Sequence, residues 1–221
     1  MNQIINEAAV CLSEVRAKAP LVHNITNYVT VNDCANALLA LGASPIMADD
    51  IGEVSEIVAL SQALVINMGT LNQRTINSMI AAGKAANKLG IPVIFDPVSA
   101  GASGLRNNTA REIVTQVKLS VVRGNISEIS CLAGLSSSTK GVDAAESDAK
   151  KDGAVIAKSL AQRLGCTVAI TGAVDYISDG ARLAKITNGH EMLGKVTGTG
   201  CMTTSLVGAT CGMTNDYYIG A

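Results

Sequence analysis

Two kinds of apolar pattern alternate along the chain. PLVHNI, SPIMA, ALVINMG, IPVIFDP, LSVVRGN and CTVAITG are runs of five to seven residues, mostly apolar, rich in Val and Ile and bounded by Gly, Pro or Asn. A strand buried on both faces has no polar side to present, so these runs read as strands of a parallel sheet. Between them lie the longer stretches NYVTVNDCANALLALG, IGEVSEIVALSQ, LNQRTINSMIAAGKAANKLG, LRNNTAREIVTQVK and DAKKDGAVIAKSLAQRLG. Their apolar residues recur at three and four, as at Ile76, Met79, Ile80 and Gly83, which is the spacing of one helix face.

Repeated strand-helix-strand order predicts an α/β fold, a mainly parallel central sheet flanked by helices on both faces through right-handed crossovers. Residues 1–221 read as one domain, and in such a sheet a ligand site belongs beyond the carboxyl ends of the strands. AITGAVDYIS followed closely by DGARLAKI predicts a small antiparallel hairpin in the C-terminal part, turning at Asp179-Gly180. LSSSTKGVDAAESDAK, Leu135 to Lys150, reads as a mobile polar loop. A helix starting near Thr199 runs through CMTTSLVGATCG with little sequence after it, which predicts either cover from a neighbouring subunit or a chain cut short at its C-terminus.

Composition narrows the function classes. Hydrophobic residues make up 48% and charged residues 16%, as in a globular chain with deeply buried elements. A formal net charge of -1 gives no attraction to nucleic acid or to anionic membranes. Aromatics at 2%, with no Trp, offer no base-stacking surface. No stretch reaches the roughly 18 apolar residues that span a bilayer. The first twenty residues carry Glu7 and Glu14 and lack the pattern of an export signal, which points to the cytoplasm. The six cysteines form no CxxC pair and read as free thiols, most of them packing residues.

Candidate chemistry collects at the strand ends. FDPVSAG places Asp96 before Pro97, where a carboxylate either caps a turn or holds Mg²⁺ for a phosphate substrate. In VVRGNISEI, Asn125 and Glu128 have the spacing of a capping box, while Arg123 is well placed for phosphate oxygens. LVHNITNYVT offers Asn24, Thr26 and Asn27 either to a polar ligand or to a helix cap, and SPIMADD offers Met47 either to the core or to a heteroaromatic pocket.

The strongest phosphate cradle is KVTGTGCM. Gly198 and Gly200 let backbone approach a ligand, and Thr199 to Met202 would present amide N–H groups at a helix amino terminus, where the dipole favours an anion. Neither the Walker spacing nor the dinucleotide fingerprint is present. The same terminus favours the thiolate of Cys201, leaving three roles open: covalent nucleophile, general base for a hydroxyl, or a small filler. His23 and His190 have no triad-like context, which weighs against the nucleophile.

VHNITNYVT, IMADD, FDPV, RGNISEI, AITG and VTGTGC, in this order from about Ala8 to Met213, resemble the hydroxyethylthiazole kinases of thiamin salvage, members of the ribokinase-like superfamily. The resemblance implies ATP-dependent phosphorylation of the primary alcohol of 4-methyl-5-(2-hydroxyethyl)thiazole, with Mg²⁺, in a homotrimer with sites at subunit interfaces. Carried over by motif, Met47 and Gly198 contact the thiazole, and Arg123 and Thr171 contact ATP. Asn24 lies near substrate and phosphates, Asp96 and Glu128 organise Mg²⁺, and Cys201 faces the hydroxyl, where most of the superfamily has an aspartate. Family members usually continue for roughly fifty residues more, another sign of a shortened chain. A nucleotide-dependent dehydratase of the same fold would want an acidic residue at 201. A binding-only chain and a thiol-redox protein are the remaining alternatives; Asp96, Glu128 and Cys201 together oppose the first, and the absence of a resolving cysteine opposes the second.

Overall fold

The computed structural model describes residues 2–135 and 152–221. The expected polar loop therefore lies outside the described residues, apart from Leu135. The parallel strands are β1 (Leu21–Ile25), β2 (Ser44–Ile46), β3 (Ala63–Asn67), β4 (Val93–Asp96), β5 (Val121–Asn125) and β6 (Thr167–Thr171). β7 (Asp175–Ser178) and β8 (Leu183–Ile186) complete one sheet in the order β2-β1-β3-β4-β5-β6-β7-β8. The last two pair antiparallel, so the expected hairpin forms. Its turn is set by Asp179, whose Oδ1 accepts the N–H groups of Ala181 and Arg182, and by Gly180 at φ 93°.

The helices are α1 (Asn2–Lys18), α2 (Val31–Leu41), α3 (Val54–Leu60), α4 (Gln73–Leu89), α5 (Gly104–Gln116), α6 (Ile126–Leu135), α7 (Gly153–Leu164), α8 (Thr199–Cys211) and α9 (Tyr217–Gly220). Side chains alternate across each strand, so every parallel strand feeds two cores. Leu64, Ile66, Val93, Phe95, Val122, Val168 and Ile170 pack with residues of α3 to α7. Val22, Ala63, Val65, Ile94 and Val121 pack on the other face with Val15 of α1, Leu38 of α2 and Val207 and Ala209 of α8. This double burial explains why the strands read as continuous apolar runs.

The periodic residues of α4 behave as their spacing implies: Ile76, Met79 and Gly83 are buried and Ile80 packs beside them. α1, by contrast, is exposed over most of its length and buries little more than Cys11 and Val15.

α8 positions the site. It lies on the second face, against β1, β3 and β4, with α2 beside it and α1 and α9 toward its C-terminal half. One side of this apolar helix is covered by the chain itself: Cys201, Thr204, Ser205, Val207, Gly208, Ala209 and Cys211 are all buried. The helix runs antiparallel to the parallel strands. Gly200 meets Arg123 near a strand's carboxyl end, Gly208 meets Val65 and Val22, and Gly212 meets Gln62 before β3 begins.

Candidate active site

By alternation, Asn24, Asn67, Asp96, Arg123 and Thr171 all fall on the face that carries α8, at or near the carboxyl ends of five neighbouring strands. The amino end of α8 arrives over this polar row. Gly198 opens the helix at φ 84°, and a Cβ there would stand 2.1 Å from Thr30 Cγ2, so only glycine fits both the conformation and the space. It supplies no side-chain cap, and the amides of Thr199, Gly200 and Cys201 precede the first intrahelical bond. Met202 does not belong with them, because its N–H already donates to Gly198 O at 2.9 Å. The Thr199 hydroxyl is spent within the fold, donating to Leu193 O at 3.1 Å.

Asp96 is the centre of the row. It is 1% exposed, and its Oδ2 accepts from the Thr204 hydroxyl at 2.6 Å and from Asn67 Nδ2 at 3.2 Å. Arg123 Nη1 stands 3.8 Å from the same oxygen. Burial pushes the carboxyl up to about 6, and Arg123 and Thr204 pull it only part of the way back. Arg123 is itself mostly buried. Its Nη2 donates to Thr171 Oγ1, its Nη1 lies where a Cβ on Gly200 would come within 2.8 Å, and its Nε is buried without a partner. A guanidinium held on one side and unspent on the other is suited to an anion delivered at α8.

The Asn125 and Glu128 pair forms the capping box in full. Glu128 N–H donates to Asn125 Oδ1 at 2.9 Å, and Asn125 N–H donates to Glu128 Oε2 at 2.8 Å. Glu128 Oε1 also accepts the Ser99 N–H, so the carboxylate ties the loop after β4 to α6. It lies close enough to Asp96 to raise that group's pKa.

Cys201 is buried, and Asn27 Nδ2 donates toward its Sγ at 3.7 Å. Asn27 is fixed by a second bond, from Val29 N–H to its Oδ1, and by Gly69, where a Cβ would stand 2.3 Å from Nδ2. Asn24 is spent inside the fold: its Oδ1 accepts from Ser205 and its Nδ2 donates to Val22 O. Of the two asparagines it is Asn27 that reaches the thiol. Met47 follows β2, half-buried at the rim. All six cysteines are free, and Cys201 is the one in the first turn of α8.

The sequence reading passed over Asn67, Thr204, Ser205 and Arg106. Arg106 of α5 donates to Met68 O, Gly69 O and Val98 O, knitting the loops after β3 and β4 that border the site. Thr204 and Ser205 lie three and four residues after Cys201, so helical spacing placed them on its face. Asn67 ends an apolar run with a polar residue, the mark that singled out Asp96. A separate cavity of about 290 Å³ opens at the opposite edge, between Gln62, Pro92, Met213 and Tyr217, away from these groups. Among the described residues no helix is long and apolar enough to cross a membrane.

The profile of the hydroxyethylthiazole kinase family matches residues 12–221. A hydroxyethylthiazole kinase of Clostridium beijerinckii is 63% identical over 223 residues, covering 100% of this chain and 81% of that protein. The solved hydroxyethylthiazole kinase protein of Pyrococcus horikoshii superposes with a TM-score of 0.88 at 43% identity, covering 100% of this chain and 80% of that one. A ribokinase-like superfamily protein of Enterococcus faecalis shares the fold, with a TM-score of 0.60 at 13% identity over 90% of this chain and 73% of that one. The fold is ribokinase-like, and the chain belongs to the hydroxyethylthiazole kinase family.

Proposed function

We propose that the chain is an ATP-dependent kinase that phosphorylates the primary hydroxyl of 4-methyl-5-(2-hydroxyethyl)thiazole in thiamin salvage. One observation carries the reading: in a chain of this family, the amino end of α8, with Cys201 in its first turn, meets Asp96 and Arg123 on a single sheet face. Phosphoryl transfer needs positioning and charge stabilisation more than covalent chemistry, and this arrangement supplies donors aimed at one place.

Met47 and Gly198 border the heteroaromatic ring, with Asn27 beside Cys201. Asn24, bonded to Ser205, supports this region from beneath. Arg123, Thr171 and the amides of Thr199 and Gly200 receive the phosphate oxygens of ATP. Asp96 and Glu128 offer hard oxygens at neighbouring strand ends, a donor set that fits Mg²⁺ held partly through water. Among the described residues no group of three or more His, Cys, Asp or Glu forms a metal cage, so the ion would arrive on the phosphates. When bound it neutralises phosphate charge. Cys201 takes or guides the proton of the acceptor hydroxyl, and Asn27 holds the sulfur in place.

The same reading takes residues 1–221 as one catalytic domain working in the cytoplasm. It assembles as a homotrimer with sites between subunits, which would cover exposed apolar residues such as Met192, Leu193 and Val196. A thiol at 201 where a dehydratase would carry an acid, together with the family relationship, favours the kinase.

A coupled ADP-release assay with a panel of hydroxyethyl heterocycles tests it. The thiazole alcohol should be the best acceptor. Cys201→Ala should lose about 100-fold in turnover, the scale of general acid-base catalysis, and Cys201→Asp should keep much of it. Accumulation of phosphocysteine, with both variants inactive, would sink the proton-acceptor role; no turnover of the thiazole alcohol would sink the activity.

A further inference from the structure

A second cluster stands at the rim, outside the polar row. Arg74, in the first turn of α4, donates from Nη1 to Asp49 Oδ1 and from Nη2 to Asp49 Oδ2, both at 2.9 Å. Tyr28 Oη donates to Asp49 Oδ2 at 2.7 Å and receives Arg74 Nη2 at 2.5 Å. The partners come from three loops: Tyr28 from the one after β1, Asp49 from the one after β2, and Arg74 from just beyond the one after β3. Arg74 holds the Asp49 carboxyl below the usual carboxylate range, and the bond to Asp49 holds the Tyr28 hydroxyl above its usual value.

Hydrogen bonds tie down the elements that carry the cluster. α4 begins with a complete capping box of Asn72 and Thr75, and Tyr28 N–H donates to Thr70 Oγ1 at 3.0 Å. On the other side the buried His23 bonds Ala48 O through Nε2 at 2.7 Å. Burial lowers the His23 pKa, so the ring is neutral with Nε2 as donor. The residues after Met47 are thus held at Ala48 by His23 and at Asp49 by Arg74 and Tyr28.

Exposed ion pairs contribute little to stability, and Tyr28 is 51% exposed. A bidentate fork with a third partner does fix relative position. Tyr28 adjoins Asn27, and Asp49 lies two residues from Met47. Resting on the acceptor assignment above, we infer that Tyr28, Asp49 and Arg74 form a clasp that sets the separation of the Asn27 and Met47 loops, and hence the fit of the heteroaromatic acceptor. They are positioning residues for acceptor binding, and phosphoryl transfer itself does not pass through them.

Steady-state kinetics and hydrogen exchange on the full chain test the clasp. Arg74→Ala should raise KM for the thiazole alcohol about tenfold, equivalent to one network of modest strength, while kcat and KM for ATP stay within about twofold. Arg74→Lys should resemble Arg74→Ala, because an ammonium cannot make the fork. Tyr28→Phe should raise the same KM about threefold, the share of one hydrogen bond. Exchange at residues 26–30 and 46–52 should speed up in Arg74→Ala. An unchanged acceptor KM, or a fall in kcat alone, overturns the proposal. If the parent protein does not turn over the thiazole alcohol, the activity reading has failed and exchange alone decides: faster exchange in both loops supports the clasp, and unaltered exchange overturns it.

Discussion

The two faces of the same strands differ in what they ask of the residues on them. Toward α3 to α7 the strands present Leu64, Ile66, Val93, Phe95, Val122, Val168 and Ile170, with the buried His23 of β1 as the polar exception. Toward α8 they are apolar only at first, with Val22, Val65, Ile94 and Val121, and then turn polar at Asn24, Asn67, Asp96 and Arg123. Residue 95 is a fully buried ring and residue 96 a fully buried carboxylate, one peptide apart. The first face supplies stability. The second gives some of it up, since a buried carboxylate loses hydration that its partners only partly replace. What makes this tolerable is the choice of covering helix: α8 brings Thr204 to Asp96 and Ser205 to Asn24.

Substitutions on each face separate the two roles. Phe95→Ala should cost about 3–5 kcal/mol in denaturant unfolding, the range for a large aromatic deleted from a packed core. A cost under about 1 kcal/mol would mean that this face is not the principal source of stability. Asp96→Asn should lower turnover by about 100- to 1000-fold, the loss expected when a preorganised charge is removed, yet it should not destabilise the fold at neutral pH.

The direction follows from proton binding. Folded Asp96 titrates at about 6, against an ordinary 3.8, so between those values the native state binds a proton that the unfolded chain has released. Stability from this group is therefore present at low pH and is lost as pH rises from about 4 to about 6, by at most about 3 kcal/mol. Asp96→Asn should flatten that slope when unfolding is followed from pH 4 to 8; a slope as steep as the parent's would refute the comparison. The smallest effect belongs to Ser205→Ala, which leaves Asn24 Oδ1 buried without its donor and should cost about 1–2 kcal/mol by the same unfolding measurement.

Much of this difference was legible in the chain, because double burial writes itself as unbroken apolar runs and a helix amino terminus as glycines before an apolar stretch. The strand end at Asp96, Arg123 near the end of β5, the start of α8 at Thr199 and the Asn125–Glu128 box all follow from local chemistry. Relations across the fold did not show. Arg106 reaches carbonyls 37 and 38 residues away, and Arg74 meets Asp49 at a separation of 25, distances over which no periodicity carries information. Asn24 and Asn27 look equivalent as letters in LVHNITN, and only their places, Asn24 within β1 and Asn27 in the loop after it, distinguish the one bonded to Ser205 from the one that reaches Cys201. α1 escaped notice as an element because so few of its residues are buried that its apolar stripe is faint.

Gly208 lies seven residues beyond Cys201 on α8, about 10 Å along the axis at 1.5 Å per residue. A Cβ there would press on Val65 Cγ2 at 2.7 Å and on Val22 Cγ1 at 3.0 Å. Since a helix transmits tilt as a stiff lever, a single methyl at this hidden fulcrum would swing the thiol and the unbonded amides of the first turn away from Asp96. The calibration of the reactive end is thus held by a missing side chain deep in the apolar core, where no substrate ever comes.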